Sequence, residues 1–480
     1  MENKTTNALR EQLLAGKPAK KGSLTARDRI TALFDEGTFT EIGAFTMRRV
    51  SEFDQKTPDE FESVICGYGS IDDRLVYAFA QDMGRTKGSV SEAAAKKICS
   101  IYKLALENGC PVVGVFDSAG AYLPEGVRAL AGYGTIMKAV AAASGVIPQI
   151  AVVAGVATGA NAILASMFDF VIATNDSEIS VNPPFVVGGG KADNSVEAGV
   201  ASVIAATDAD ALAKARELLS YLPSNNEEGT AEWCCTDDAN RACDISAYEQ
   251  SGEISALIAA FADDAKFFEL GAGYAESVKT GFVSLGGTVC GVVATDRAVN
   301  AGKLSSKSAR KAARFISFCD CHSIPVVTLV DCEGFEISAE EEKNPYCSEI
   351  GKLALTYASA KTALITLVAG AAYGSAFSVL GSKSIGADVV FALDSAKIAC
   401  MNAKSAVALL WNNKISSKTS REDLEAQWSE TEANVALAAK AGEVDDIIDS
   451  AEVRQRLASA VNMLSCKAGA PRRRHANMPL

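Results

Sequence analysis

Histidine is almost missing from this chain: His322 and His475 are the only two among 480 residues. A catalytic triad built on imidazole, or a histidine-rich metal centre, is therefore not expected, and any chemistry must rest on other groups. Aromatic residues are scarce at 7%, and positive charge is outweighed, with a formal net charge of −13. That balance speaks against a nucleic-acid partner, because on average nothing is left to neutralise a phosphate backbone. Thirteen cysteines are present, yet they form no paired C-x-x-C set: Cys234 and Cys235 are adjacent, and Cys319 and Cys321 sit two apart. Neither a zinc ribbon nor another metal site is expected from this spacing, while an odd cysteine count fits free, mostly buried thiols in a reducing cytoplasm. The opening MENKTTNALREQLLAGKPAKK lacks the apolar stretch of a secretory signal. The uncharged run from Ala363 to Leu380 is interrupted by Gly370, Tyr373, Gly374 and Ser375. It reads as a buried strand, a tight turn and an internal helix rather than a membrane span.

What is abundant points the other way. Apolar residues make up 48% and charged residues 22%, enough to bury sizeable cores, and the length favours two domains. Internal repetition decides the architecture. ALFDEGTFTEIGA (Ala32 to Ala44) returns as AFADDAKFFELGA (Ala260 to Ala272), and GYGSIDDRLVYAFAQD (Gly67 to Asp82) as GFVSLGGTVCGVVATD (Gly281 to Asp296). CPVVGVFDSAG (Cys110 to Gly120) returns as IPVVTLVDCEG (Ile324 to Gly334), and QIAVVAGVATGA (Gln149 to Ala160) as LITLVAGAAYGS (Leu364 to Ser375). Order is kept throughout, so the chain is two copies of one domain. We place them at residues 1–235 and 236–480, with the polar, acidic stretch Tyr221 to Asp244 as the linker.

Each copy reads as α/β. Leu75 to Ala80 and Val289 to Ala294 are apolar runs of strand length, followed by helical stretches Ser91 to Asn108 and Lys307 to His322. In the second helix Ala312, Phe315, Ile316 and Cys319 recur at helical spacing. Then come PVVGVFD and PVVTLVD, continuous apolar runs ending in an acid, as expected of parallel strands buried on both faces. Such alternation implies helix-covered sheets.

In folds of this kind ligands collect where strands end. Gly155-Val-Ala-Thr-Gly159-Ala160 and Gly370-Ala-Ala-Tyr-Gly374-Ser375-Ala376 are such strand-to-helix turns, and Gly120 and Gly334 end the neighbouring turn in each half. Small residues let a substrate approach the backbone, and the first N–H groups of a helix point outward unsatisfied. Two such amides can hold a thioester oxygen as it becomes an enolate. The same glycines also suit tight helix–strand packing, and the local pattern alone does not separate the two readings. Their duplication suggests two oxyanion sites.

These residues carry a resemblance that runs nearly end to end. TARDRI, ALFDEGTFTEI, GCPVVG, DSAGAYLPEGV, ASGVIPQI, LLSYLPSNN, AGKLSSKSARKAARFISFCDCHSIPVV, AAYGSAFSVLGSKSIGADV and the terminal HANMPL resemble the carboxyltransferase subunits of biotin-dependent acyl-CoA carboxylases. They are equally similar to those of sodium-pumping methylmalonyl-CoA decarboxylases. The resemblance implies two tandem crotonase (ClpP)-like domains, each a ββα superhelix, assembled as a hexamer of two stacked trimers. It implies acyl-CoA on the N-terminal domain and, on the C-terminal domain, biotin carried by a separate biotin carboxyl carrier protein. A biotin carboxylase, or membrane decarboxylase subunits, would complete the machinery. The family's oxyanion pairs fall on Gly159 with Ala160, for the thioester oxygen, and on Ser375 with Ala376, for the ureido oxygen of biotin. Ala119, Gly120, Gly155, Gly334, Gly374 and Ser378, drawn from these turns and from the family comparison, are the candidate substrate-binding residues.

Departures from the family pattern are local. Ala119, Ala160 and Ser375 stand at family glycines, Ala121 or Tyr122 at a family arginine, Ser378 at a family acid, and KADNSVEAGVASVIA lacks the family's paired histidines. Neither a biotin-acceptor A-M-K-M nor an ATP-grasp signature occurs, so those functions are expected on other chains. Lys87, Lys191 and Arg472 to Arg474 are candidates for CoA phosphates, against a reading as solvated basic residues. The functional expectation is carboxyl transfer between carboxybiotin and a short-chain acyl-CoA, in either direction. Two rivals remain: a non-catalytic hexameric scaffold, and a biotin-independent crotonase-like hydratase or hydrolase using Glu125 as its acid.

Overall fold

The computed structural model describes residues 6–14, 24–49, 61–183, 186, 191–416 and 418–467. The chain forms two compact units that change over between Glu228 and Gly229.

In the first unit a hairpin opens an eight-stranded sheet. Strands β1 (Thr40–Glu41), β2 (Val64–Ile71) and β3 (Arg74–Gln81) are antiparallel. β2 and β3 turn through Asp72 and Asp73, both at positive φ (50° and 63°), the twist a two-residue hairpin demands. From β3 onward the sheet is parallel, through β4 (Val112–Ser118), β5 (Gln149–Thr158), β6 (Phe170–Thr174) and, at the edge, β8 (Val203–Ala205). The short β7 (Glu178–Ser180) pairs with the end of β5 instead. Every residue of β4 is buried, which is why its sequence is a continuous apolar run. The helices of this unit used below are α1 (Ala26–Leu33), α2 (Glu92–Asn108), α3 (Val127–Ala143), α4 (Ala160–Ser166) and α5 (Asp208–Tyr221). α2 starts on the Ser91 hydroxyl, which accepts from the Ala94 N–H, and stops at Gly109 in the left-handed region. Phe79, Phe116 and Phe168, mutually edge-on, fill the core between sheet and helices.

The second unit repeats this plan strand for strand. β9 (Phe268–Leu270), β10 (Val278–Leu285) and β11 (Thr288–Thr295) are antiparallel; β12 (Val326–Cys332), β13 (Leu364–Tyr373), β14 (Val389–Leu393) and β16 (Asp446–Ile448) continue in parallel. β15 (Lys397–Ala399) pairs with the end of β13 as β7 does with β5. The helices used below are α6 (Ser246–Ser251), α7 (Ile254–Phe261), α8 (Ser306–Cys321), α9 (Tyr346–Ser359), α10 (Gly374–Val379) and α11 (Val453–Leu464). Ala312, Phe315, Ile316 and Cys319 are all on the buried face of α8, as their spacing requires.

Two sequence expectations are refined. The stretch Tyr221 to Asp244 is not a plain linker. Tyr221 and Leu222 are buried in the first unit, where the Asn226 N–H donates to Val146, whereas the Trp233 N–H donates to Gly287 and Ala231 accepts from Val289 in the second. The first end thus packs on the loop before β5, and the second joins the sheet of its unit through a bridge between Glu232 and Thr288, because backbone groups that are buried must find partners. The run Ala363 to Leu380 holds β13 and α10, and among the described residues no helix is long and apolar enough to cross a membrane.

Candidate active site

Both units build the same turn from the same parts. Asp117 is the penultimate residue of β4 and Asp331 that of β12, and each carboxylate lies against a glycine of the next strand. A Cβ on Gly155 would sit 2.1 Å from Asp117 Oδ1, and one on Gly370 2.3 Å from Asp331 Oδ1. Each carboxylate also accepts the following backbone N–H: Val156 to Asp117 at 3.2 Å, Ala371 to Asp331 at 2.8 Å. These glycines therefore do pack tightly, but they pack against a buried acid and not merely against a helix. Behind each acid a second glycine is obligatory: a Cβ on Gly88 would lie 2.2 Å from the Asp117 carbonyl oxygen, and one on Gly302 2.1 Å from that of Asp331.

The chain then turns in matched steps. Ala119 N–H donates to Lys87 and Glu333 N–H to Ala301; Val90 N–H donates to Gly120 and Leu304 N–H to Gly334. Gly120 and Gly334 hold φ of 108° and 122°. The first amide is partnered by the Ser118 hydroxyl at 3.0 Å, and the second by the Cys332 thiol at 3.4 Å. On the facing strand, Gly159 (φ 61°) and Gly374 (φ 65°) make the bend into α4 and α10. Ala160 is the first residue of α4, so its N–H has no intrahelical acceptor. The Gly159 N–H is already given to the Ser180 carbonyl at 3.0 Å. By the repeat, Ser375 stands where Ala160 stands and Ala376 where Asn161 stands. Ser375 is exposed at the turn and Ala376 is buried.

The remaining candidates are placed as follows. Ala119 is exposed at the strand end, Gly120 is buried beneath it, Gly155 is half-buried, and Ser378 is exposed on α10. Lys87 is exposed, and its carbonyl is what receives the Ala119 N–H; Lys191 is exposed at the start of a short helix, Ala192–Glu197. Arg472 to Arg474 lie outside the described residues. Glu125 is committed through one oxygen only, its Oε1 being buried without a hydrogen-bond partner among the described residues. Its carboxylate accepts the Glu92 N–H at 2.7 Å and so closes the start of α2, the role Glu341 plays for Ser306 of α8 at 2.9 Å. Among the described residues no group of three or more His, Cys, Asp or Glu side chains is arranged to hold a metal.

Sequence reasoning passed over what holds the acids. Asp117 receives Arg29 Nη1 at 2.7 Å, and the same guanidinium reaches Asp208 at 2.8 Å and the Ala154 carbonyl at 3.3 Å, all from α1. Asp331 receives the Tyr248 hydroxyl of α6 at 2.5 Å and lies 3.5 Å from Arg297 Nε. Burial and the Asp331 carboxylate push the Tyr248 phenol far up, so it stays a donor. The signal was present, since both repeats end their buried strand in aspartate. The partners lie far away in the chain and follow no shared pattern.

Two strand-end acids, two glycine bends and two helix starts describe one strand-to-helix turn built twice in one chain, and comparison with known proteins identifies the family. The carboxyl transferase domain model matches residues 17–478. The chain belongs to the carboxyl transferase family. It is 36% identical over 483 residues to the propionyl-CoA carboxylase beta chain of Roseobacter denitrificans, with 96% of this chain and 94% of that one covered. It is also 36% identical to the methylmalonyl-CoA decarboxylase subunit alpha of Propionigenium modestum, with the same shares covered. Transcarboxylase 12S, a solved hexamer with hydrolysed methylmalonyl-CoA bound, superposes with a TM-score of 0.92 at 31% identity, covering 98% of this chain and 97% of that one. The fold is thus two crotonase-like domains, and the chain is a carboxyltransferase of the biotin-dependent acyl-CoA carboxylase class.

Proposed function

We propose that this carboxyltransferase moves a carboxyl group between carboxybiotin and a short-chain acyl-CoA, with the two units dividing the work. The observation that carries the reading is the duplicated turn: a glycine bend into a helix start, braced by a buried strand-end acid, at Gly159–Ala160 and again at Gly374–Ser375. In the first unit the Ala160 N–H, at the free start of α4, faces the acyl thioester oxygen and stabilises it as the enolate forms, while Gly159, whose own N–H goes to the Ser180 carbonyl, supplies the bend. In the second, Ser375 and Ala376 face the ureido oxygen of biotin. Small residues fit both roles: among the described residues a Cβ on Gly159 would meet within 4 Å only the Val181 carbonyl, and one on Gly374 only the Cys400 carbonyl, at 3.5 Å. Biotin, brought by a separate carrier protein, supplies the transferred carboxyl group and, once freed of it, a base for the α-proton. The chain's own part is to orient, to hold charge and to exclude water, and that requires no imidazole.

The hexameric transcarboxylase 12S relative supports assembly as a hexamer. The relatives are propionyl-CoA carboxylase and methylmalonyl-CoA decarboxylase subunits, which supports propionyl- or methylmalonyl-CoA as substrate, with a biotin carboxylase or membrane decarboxylase subunits as partners.

The test is loss of the carboxyl group from methylmalonyl-CoA and malonyl-CoA in the presence of free biotin, using the purified chain and Gly159→Val. A positive φ of 61° makes valine at that position strained and narrows the approach. Biotin-dependent turnover abolished in the variant supports the proposal. A folded hexamer that turns over no short acyl-CoA overturns it in favour of the scaffold.

A further inference from the structure

Gln81 and Asn161 are among the most deeply buried polar side chains in the first unit, 1% and 0% exposed. They form a reciprocal amide pair: Gln81 Nε2 donates to Asn161 Oδ1 and Asn161 Nδ2 donates to Gln81 Oε1, both at 3.0 Å. The same Gln81 Oε1 accepts the Asp117 N–H at 3.2 Å. Gln81 is the last residue of β3, Asp117 is the acid that braces the turn, and Asn161 directly follows Ala160 at the start of α4. One side chain thus ties the end of one strand, the end of the next and the first turn of the helix.

A helix of seven residues has little stability of its own, so its rotation is set by whatever grips its first turn. The second unit does this differently. There Thr295 Oγ1 accepts the Asp331 N–H at 2.7 Å, and Ala376 occupies the place of Asn161, so no amide pair exists.

We propose that Gln81 and Asn161 are positioning residues for the first oxyanion turn: their reciprocal amide bonds fix the direction of the Ala160 N–H, while touching no substrate. The inference rests on the functional reading above in taking Ala160 as an oxyanion donor. A satisfied buried pair in an interior of low dielectric holds one geometry, whereas removing the Asn161 amide leaves Gln81 Nε2 without that partner and Gln81 Oε1 held by the Asp117 N–H alone, so the side chain is free to seek new contacts.

Three proteins are compared: wild type, Asn161→Ala, and the double variant Gln81→Thr with Asn161→Ala, which copies the second unit's own pair. For biotin-dependent loss of the carboxyl group from methylmalonyl-CoA, kcat falls about ten- to a hundredfold in Asn161→Ala while KM for free biotin holds, and most of the loss returns in the double variant. Amide hydrogen exchange over residues 158–166, followed by mass spectrometry, accelerates in the single variant and reverts in the double. Unchanged kcat or unchanged exchange in Asn161→Ala overturns the proposal. So does a double variant that folds but stays as slow and as open as the single one. If Asn161→Ala does not fold, the double variant decides alone: wild-type kcat and exchange support the proposal, and a loss of either overturns it. A wild type without turnover but with the expected exchange pattern sinks the functional reading and leaves the positioning role standing.

Discussion

The Tyr248 hydroxyl lies 2.5 Å from Asp331 Oδ2, and it does for the second unit what Arg29, 2.7 Å from Asp117, does for the first. Two acids at equivalent strand ends are held by unlike partners, a phenol on α6 and a guanidinium on α1. The first pair carries one charge and the second two, so their removal has different consequences. Tyr248→Phe leaves Asp331 with the Ala371 N–H and Arg297 nearby, and the expected result is a several-fold rise in KM for free biotin with little loss of stability. Arg29→Met strands a buried carboxylate and costs about 3–5 kcal/mol, with turnover lost alongside. Steady-state kinetics and urea unfolding on the two variants distinguish these outcomes.

Gly155→Ala and Gly370→Ala place a methyl group against a carboxylate that cannot retreat. Each is expected to destabilise by about 1–3 kcal/mol and to misalign its own turn. The readout is thermal unfolding together with separate KM values, with acyl-CoA affected by the first change and free biotin by the second. If both substitutions were silent, the close approach of acid and glycine would carry no strain.

Lys311 is buried on α8, where its amine donates to the carbonyls of Gly271 and Tyr274, both at 2.8 Å. Burial pushes its ammonium down to about 7. The unfolded chain therefore binds the extra proton between about pH 7 and the ordinary lysine range, and the native state does not. Stability rises with pH through that window and the contribution is lost below it. Urea midpoints at pH 7 and 9 are expected to differ in that direction, by roughly 1–3 kcal/mol in unfolding free energy. Lys311→Met removes the dependence, although it leaves the two carbonyls unsatisfied.

At the other end of the second unit the guanidinium of Arg454, fully buried on α11, lies 2.7 Å from Asp263 and donates to the Phe261 carbonyl at 2.6 Å. Burial alone would raise the Asp263 carboxyl. The Gly287 N–H, the Ser284 hydroxyl, Arg454 and the Gly286 N–H together outweigh it and hold the group at about 2. A depressed carboxyl contributes stability above its ordinary range, and that contribution fades as pH falls towards 2. Arg454→Met is expected to cost about 3–5 kcal/mol at neutral pH. The measurement is denaturant unfolding at pH 7 and pH 3, where the gap between variant and wild type narrows at the lower pH.

Much of this molecule was legible in its residues. The duplication, the buried parallel strands ending in aspartate, and the strand-to-helix bends at Gly159 and Gly374 are all local patterns, and local patterns follow from backbone sterics and the period of burial. The second-unit pair, read from the resemblance as Ser375 and Ala376, lies one residue further along than the repeat itself indicates. The internal geometry aligns Gly374 and Ser375 with Gly159 and Ala160. The tie between Glu125 Oε2 and the Glu92 N–H was not legible, because the two lie 33 residues apart in the chain.

The sequence by itself determined the class of fold, its doubling and the small residues at each bend, because these depend on neighbours in the chain. Only the tertiary structure decided which side chains hold the bends. Arg29 reaches Asp117 across 88 residues, Tyr248 reaches Asp331 across 83 and Gln81 meets Asn161 across 80. Buried polar groups must find partners wherever the packed sheets bring them, and packing, not spacing, selects those partners.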